Sequence, residues 1–157
     1  MEEDYKIITI DSLYVNYPNI NIYDFYMSLD EPLRNVYKIN VITILADVPQ
    51  SSFFLPLDPI YVNINEYNRL ISKKNDNNNI YYFDSLIIEN TISSRITIKN
   101  DYNTNDNTYY LNPLEPQLNR FNIRLFDKNN QLITKDNINR IVIKLGVYYN
   151  NKKYTRV

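Results

Sequence analysis

The side chains that could carry out chemistry are few, because the 157-residue chain contains no histidine and no cysteine. Histidine is the commonest general base and metal ligand, and cysteine supplies thiolates and disulfides. Carboxylates, lysine, tyrosine, serine and threonine remain. With one glycine, Gly146, the chain also lacks a glycine-rich phosphate loop. These residue types predict that the protein is not an enzyme and has no cofactor.

Acidic side chains provide two candidate sites. The loop Asp101–Asn105 offers oxygen ligands at alternate positions of a calcium loop, but it lacks the glycine and the final glutamate that such a loop needs. Asp47, Asp58 and Asp84 could supply a catalytic carboxylate pair, yet no spacing brings two of them together. We therefore predict a solvated loop, ordinary strand ends and no metal site.

The sixteen tyrosines are the other candidates for function. They could form a stacking platform for sugars or single-stranded bases, or they could line protein–protein contacts with the ring buried and the hydroxyl wet. Their distribution over nearly every predicted strand favours protein contacts. At the C-terminal end tyrosines stand beside basic residues, and we predict partner contacts at Tyr148, Tyr149, Lys152, Lys153, Tyr154 and Arg156.

The charge and hydropathy of the chain exclude other classes of partner. The net charge is −1, and the 17 basic residues are scattered among 18 acidic ones, which predicts no nucleic-acid binding. No apolar run approaches the roughly 18–20 residues that a membrane span needs. The first residues, Met1–Asp4, do not resemble a signal peptide, so we expect a soluble, intracellular protein.

Alternation of apolar and polar residues dominates the chain and predicts β-strands half buried against a second layer. The predicted strands are 5–11, 23–29, 37–41, 60–64, 80–89, 95–99, 121–125 and 141–147. Tyr67, Leu70, Ile71 and Lys74 instead follow helical spacing, so we expect a short helix near residues 65–74.

Prolines and asparagines mark the breaks between these segments. Because proline cannot donate to a ladder, breaks are expected at Pro32, Pro49, Pro56, Pro59, Pro113 and Pro116. In the hairpin loop 127–130, Asn130 should take the left-handed conformation. We predict an all-β fold: a single antiparallel, jelly-roll-like β-sandwich over 1–157 with at most one short helix and flexible arms at 1–4 and 150–157.

Several short motifs follow one another in a recurring order. Ile10-Asp11-Ser12 precedes Tyr17-Pro18-Asn19, and the segments 29–39 and 47–53 contain proline bends before and after a strand. The most specific motif is LNPLEPQLNRFNIRLFD at 111–127. In this order the motifs resemble small virion structural proteins, the minor capsid proteins of nucleocytoplasmic large (giant) DNA viruses.

The chain departs from this family at two places. An arginine-rich stretch often follows Ile-Asp-Ser in the family, where this sequence has Leu13-Tyr14-Val15-Asn16, and the family's hairpin glycine is replaced by Asn130. The first difference puts a charge-based contact near the N-terminus in doubt, whereas asparagine is tolerated at a left-handed position.

The resemblance implies a β-sandwich in or beneath an icosahedral shell built mainly of a larger double jelly-roll protein. It implies no catalytic residues, a location in the virion capsid after assembly in the host cytoplasm, and the major capsid protein and other minor capsid proteins as partners. The alternative is a glycan-binding sandwich of a virion surface fibre or adhesin, which would need two or three coplanar exposed aromatic rings.

Overall fold

A computed structural model describes residues 4–49, 53–68, 70–74, 78–88, 95–99 and 108–151 of the chain. The described residues form nine strands and one 3-10 turn, Lys135–Asn137. The strands are β1 (Asp4–Asp11), β2 (Asp24–Val48), β3 (Pro59–Ile64), β4 (Leu70–Lys74), β5 (Asn78–Tyr82), β6 (Asp84–Ile87), β7 (Arg95–Lys99), β8 (Thr108–Phe126) and β9 (Arg140–Tyr149).

Seven of these strands form one antiparallel sheet in the order β1-β9-β2-β8-β3-β6, with β7 also pairing with β2. Strands β4 and β5 form a separate two-stranded hairpin. The long strands β2 and β8 change partners along their lengths. The first half of β2 pairs with β8, whereas its second half pairs with β9 and β7.

This change of partners curls the sheet into two layers around one hydrophobic core, so the predicted all-β, sandwich-like antiparallel fold is confirmed. The core is built from the alternate residues that the period-two pattern singled out, among them Phe25, Ile60, Ile123 and Ile143. Burial of such alternating β-branched and aromatic side chains is what favours a two-layer sheet for this sequence.

β2 follows the curl of the sheet because its buried face changes phase three times within 25 residues. Asn35 has a left-handed φ of 52°, and register shifts lie between Val36 and Lys38 and between Val41 and Thr43. Each irregularity moves the buried positions by one residue, as a β-bulge does. The buried positions are Phe25 and Leu33, then Val36, then Ile39 and Val41, then Ile44, Ala46 and Val48.

The helix predicted near residues 65–74 is wrong. Leu70–Lys74 is strand β4, which pairs with β5 from Leu70↔Tyr82 to Lys74↔Asn78. Tyr67 lies in the turn after β3, where its N–H donates to the carbonyl of Ile64 at 3.0 Å. Helical spacing over eight residues is too short a signal to outweigh pairing with a neighbouring segment.

The prolines interrupt strands at fewer places than predicted. Pro49 follows β2 and Pro59 begins β3, but Pro32 lies inside β2, and Pro113 and Pro116 lie inside β8. Pro32 falls within the register shift between Ser28 and Leu33, and the ladder between β2 and β8 also skips Pro113 and Pro116. Since no ladder donor is required at these positions, the strands continue through them.

The predicted hairpin loop after β8 is confirmed. Asn130 has a φ of 58°, and its N–H donates to the carbonyl of Asp127 at 3.0 Å. Asn35 and Asn65 also have left-handed backbones, and the fourth non-glycine residue of this kind in the described chain is Leu57.

Candidate functional site

The structure brings together tyrosines from four neighbouring strands on the outer side of one layer. Tyr5 of β1 pairs with Tyr148 of β9, and Tyr148 pairs with Lys38 of β2. Lys38 in turn pairs with Tyr110 of β8. We call this row, together with the adjacent Tyr37, the tyrosine face.

The rings of the tyrosine face surround one positive charge. The Lys38 ammonium lies 4.0 Å from the ring centroid of Tyr148 and 5.8 Å from that of Tyr110, both within the range of a cation–π interaction. Tyr148 also contacts Tyr5 and Tyr37, with ring centroids 4.7 and 6.3 Å apart. The rings are tilted by 46° and 51°, so they form a ridged surface and not a flat one.

Gly146 creates the space for this arrangement. A Cβ at position 146 would lie 2.6 Å from the hydroxyl oxygen of Tyr5 and 2.8 Å from a carbon of its ring. The backbone of Gly146 does not have a positive φ, so glycine is not required there for backbone conformation. The one glycine of the chain therefore lets Tyr5 lie across β9.

Two rings of the tyrosine face are exposed to solvent. Tyr110 is 67% exposed, and Tyr5 is about half exposed. Burial, followed by the charge of Tyr148, raises the pKa of Tyr5 above its usual range. The Tyr5 hydroxyl is therefore a neutral group that can both donate and accept hydrogen bonds.

Of the six predicted contact residues, the structure describes two, and these two have different surroundings. Tyr148 belongs to the tyrosine face, whereas Tyr149 is partly buried against the core. Lys152, Lys153, Tyr154 and Arg156 lie outside the described residues, as do residues 1–3 of the other predicted arm.

The described part of the C-terminal arm is bonded to β2. The N–H of Asn150 donates to the carbonyl of Arg34 at 3.0 Å, and the N–H of Arg34 donates to Oδ1 of Asn151 at 2.8 Å.

Sequence reasoning missed Tyr5, Lys38 and Tyr110, because their proximity depends on strand register that no local pattern encodes. The only available signal was Gly146, since an isolated glycine within a strand often marks the close approach of another group.

The three candidate carboxylates lie on different elements of the fold. Asp84 is buried in β6 and accepts a hydrogen bond from the N–H of Ser85 at 2.7 Å. Asp58 precedes β3 and lies 3.5 Å from the ammonium of Lys128, and Asp47 is near the end of β2. The candidate calcium loop lies outside the described residues.

A polar pocket of about 210 Å³ lies at the paired residues Asp24 of β2 and Arg124 of β8, and its lining includes Asn63 and Asn68. The carboxamide oxygens of Asn63 and Asn68 are buried without a hydrogen-bond partner. Across the described ranges, no three His, Cys, Asp or Glu residues are arranged to hold a metal ion.

The described part of the chain contains no helix of the length and hydropathy needed to cross a membrane. Comparison of the whole sequence with known proteins gives no family assignment: it matches no protein-family model and no curated protein.

Proposed function

We propose that the protein is a structural component of a virion: a minor capsid protein that binds and stabilises neighbouring capsid proteins in the icosahedral shell of a large DNA virus. Its partners would be the major capsid protein and other minor capsid proteins, joined during assembly in the host cytoplasm. The ordered motifs of the sequence and the all-β fold support this proposal. The observation that carries it is the tyrosine face.

The composition of the tyrosine face suits contact with another protein. Tyrosine is enriched in protein interfaces because its ring buries a large area while its hydroxyl forms hydrogen bonds. Here the rings already contact one another and Lys38, so few side-chain rotamers would be lost on binding. A structural protein that acts by contact alone needs such a surface and no catalytic groups.

Binding of a glycan is the less favoured alternative. A sugar stacks on the face of an aromatic ring, and a platform for several sugars needs rings in one plane. The rings of Tyr5 and Tyr37 are tilted by 46° and 51° to that of Tyr148, and Lys38 occupies the space beside it. The tilt and the central charge therefore favour a protein partner.

The experiment that tests the proposal compares two exposed tyrosines. Tyr110, 67% exposed, belongs to the tyrosine face, and Tyr14, 79% exposed, lies in the loop after β1. Tagged wild-type, Tyr110→Ala and Tyr14→Ala proteins are produced in infected host cells, and their copy number in purified particles is measured by mass spectrometry. We expect about tenfold less incorporation of Tyr110→Ala, because loss of an interface tyrosine commonly costs more than 1 kcal/mol.

Wild-type protein and Tyr14→Ala should enter particles equally. Absence of the wild-type protein from purified particles would contradict the proposed function. Equal incorporation of all three proteins would show that the tyrosine face is not the contact surface.

A further inference from the structure

Leu57 adopts a backbone conformation that is unfavourable for its residue type. Its φ is 71°, in the left-handed region. The other non-glycine residues in this region of the described chain are Asn35, Asn65 and Asn130, and asparagine tolerates it far better than a bulky apolar residue. Leu57 is nevertheless 75% exposed, so its side chain gains little burial within its own fold.

The loop that carries Leu57 is held rigidly. We call residues 53–58 the leucine loop. The N–H of Leu57 donates to the carbonyl of Ile88 at 2.6 Å, and the N–H of Ile88 donates to the carbonyl of Asp58 at 2.9 Å. The Asp58 carboxylate accepts from the N–H of Leu55 at 2.9 Å and lies 3.5 Å from the ammonium of Lys128.

These bonds fix Leu55 and Leu57 in exposed positions. Strain that persists in a well-bonded loop without benefit to the fold is a sign of function. A rigid apolar protrusion also loses little entropy on docking, which makes it suited to insertion into an apolar recess.

A groove with matching chemistry lies elsewhere on the same molecule. It runs beside the open edge of β1 and the segment 27–33 of β2, and we call it the edge groove. Its apolar wall includes the buried Ile8 and Leu33 and the partly buried Met27 and Leu29. No strand of the described chain pairs with β1 on this side.

The size and rim of the edge groove agree with insertion of the leucine loop. The groove has a volume of about 540 Å³. A cavity of about 150 Å³ holds benzene, so two leucine side chains fit in this space. The rim carries the exposed Asp30 and Glu31 together with one cation, Lys6, so its net charge is negative. The cation nearest the leucine loop is Lys128, which is paired with Asp58.

Two other pockets are less suitable. One is lined by polar side chains that include Asp24 and Asn63, and the other lies directly under the leucine loop. Neither offers an apolar recess to a leucine loop from outside.

We propose that Leu55 and Leu57 of one copy of the protein insert into the edge groove of a second copy. The leucine loop and the edge groove share no residue, so each copy offers one of each. Such a contact is heterologous, and it joins copies head to tail into a ring or an open row. This self-association goes beyond the proposed function and does not depend on it.

The test uses one variant of each half of the contact and a matched control. Leu57→Asn removes the apolar protrusion, and Ile7→Glu places a charge at an exposed position that lines the edge groove. Ile20→Asn is the control, because Ile20 is 74% exposed against 75% for Leu57 and lies outside both surfaces. Sedimentation velocity over a range of concentrations measures self-association.

Wild-type protein and Ile20→Asn should associate as concentration rises, whereas Leu57→Asn and Ile7→Glu should each associate about tenfold or more weakly. Leu57→Asn retains an intact edge groove, and Ile7→Glu retains an intact leucine loop. An equimolar mixture of these two variants should therefore form a 1:1 dimer and nothing larger. Leu57→Asn should also raise the unfolding temperature, since asparagine relieves the left-handed strain.

Wild-type protein that stays monomeric at every concentration overturns the proposal, and so does a mixture that forms no dimer. A lower unfolding temperature for Leu57→Asn would mean that Leu57 serves the fold. Binding of the wild type to phosphatidylcholine–phosphatidylserine vesicles without self-association would assign the loop to a bilayer and also overturn the proposal. All of these results are independent of the Tyr110→Ala particle experiment, so failure of either proposal leaves the other intact.

Discussion

Glycine is required at position 146 because the Tyr5 ring occupies the space of a Cβ, and not because of the backbone conformation. The left-handed positions 35, 65 and 130 carry asparagine, while the one glycine of the chain occupies a strand under an aromatic ring. Apart from Leu57, asparagine takes the place of glycine at the left-handed positions of the described chain. It cannot replace glycine where the space of a Cβ is already occupied.

Gly146→Ala should therefore destabilise the protein through overpacking, by about 1–3 kcal/mol. The cost should disappear in the Tyr5→Ala background, because the ring that obstructs the Cβ is absent. Urea unfolding of the four proteins in this double-mutant cycle measures the coupling. An equal cost in both backgrounds would mean that Tyr5 is not the group that requires glycine.

At the scale of the element, period-two alternation located strands better than it located their ends. The alternation at 23–29 and 37–41 identified two parts of β2 but not their continuity, because the intervening Pro32 was expected to break the strand. A proline ends a strand only where the neighbouring strand needs a backbone N–H donor at that position. That requirement is a property of the pairing and cannot be read from one segment.

The tyrosine face was only partly predictable for the same reason. Tyr148 could be nominated from its place in a cluster of aromatic residues near the end of the sequence. Its neighbours Tyr5 and Lys38 are separated from it by more than 100 residues and join it only through register. The turn at Asn130, by contrast, was predicted correctly because its chemistry is local.

The turn at Asn130 offers a test of this local chemistry. A β-branched residue is strongly disfavoured at a φ of 58°, so Asn130→Val should destabilise the protein by about 1–2 kcal/mol or more. Asn130→Gly should be nearly neutral. Asn129→Val, at the exposed neighbouring position, is the matched control in chemical denaturation. Equal effects of the two valine substitutions would contradict a conformational role for Asn130.

At the scale of the whole molecule, the ionisable side chains predict a broad plateau of stability. The chain has no histidine, the side chain that ordinarily titrates near neutral pH. Burial raises the pKa of both Tyr17 and Tyr67 to about 12, and the hydrogen bond from Arg140 lowers the pKa of Asp11. The raised tyrosine pKa values set the alkaline limit of the plateau, and the lowered pKa of Asp11 sets its acid limit.

We expect the midpoint of thermal unfolding to change little between pH 5 and 8. Above pH 10 the unfolded chain releases its tyrosine protons before the folded chain does, so stability should fall between about pH 10 and 12. On the acid side, the contribution of Asp11 is present above the ordinary aspartate pKa of about 3.9 and is lost as the pH falls below it. A steep change between pH 5 and 8 would reveal a buried carboxylate with a raised pKa.

The shared strands of the two layers also determine how the molecule bears mechanical load. β2 runs through both layers, so a force that pulls one layer from the other is transmitted along a covalent backbone. A force applied to the first and last strands acts differently, because Asp4 is paired directly with Tyr149. Pulling these two residues apart loads the hydrogen bonds of β1 and β9 one after another, as in opening a zipper. The fold should therefore resist traction across its layers and yield readily at its terminal strands.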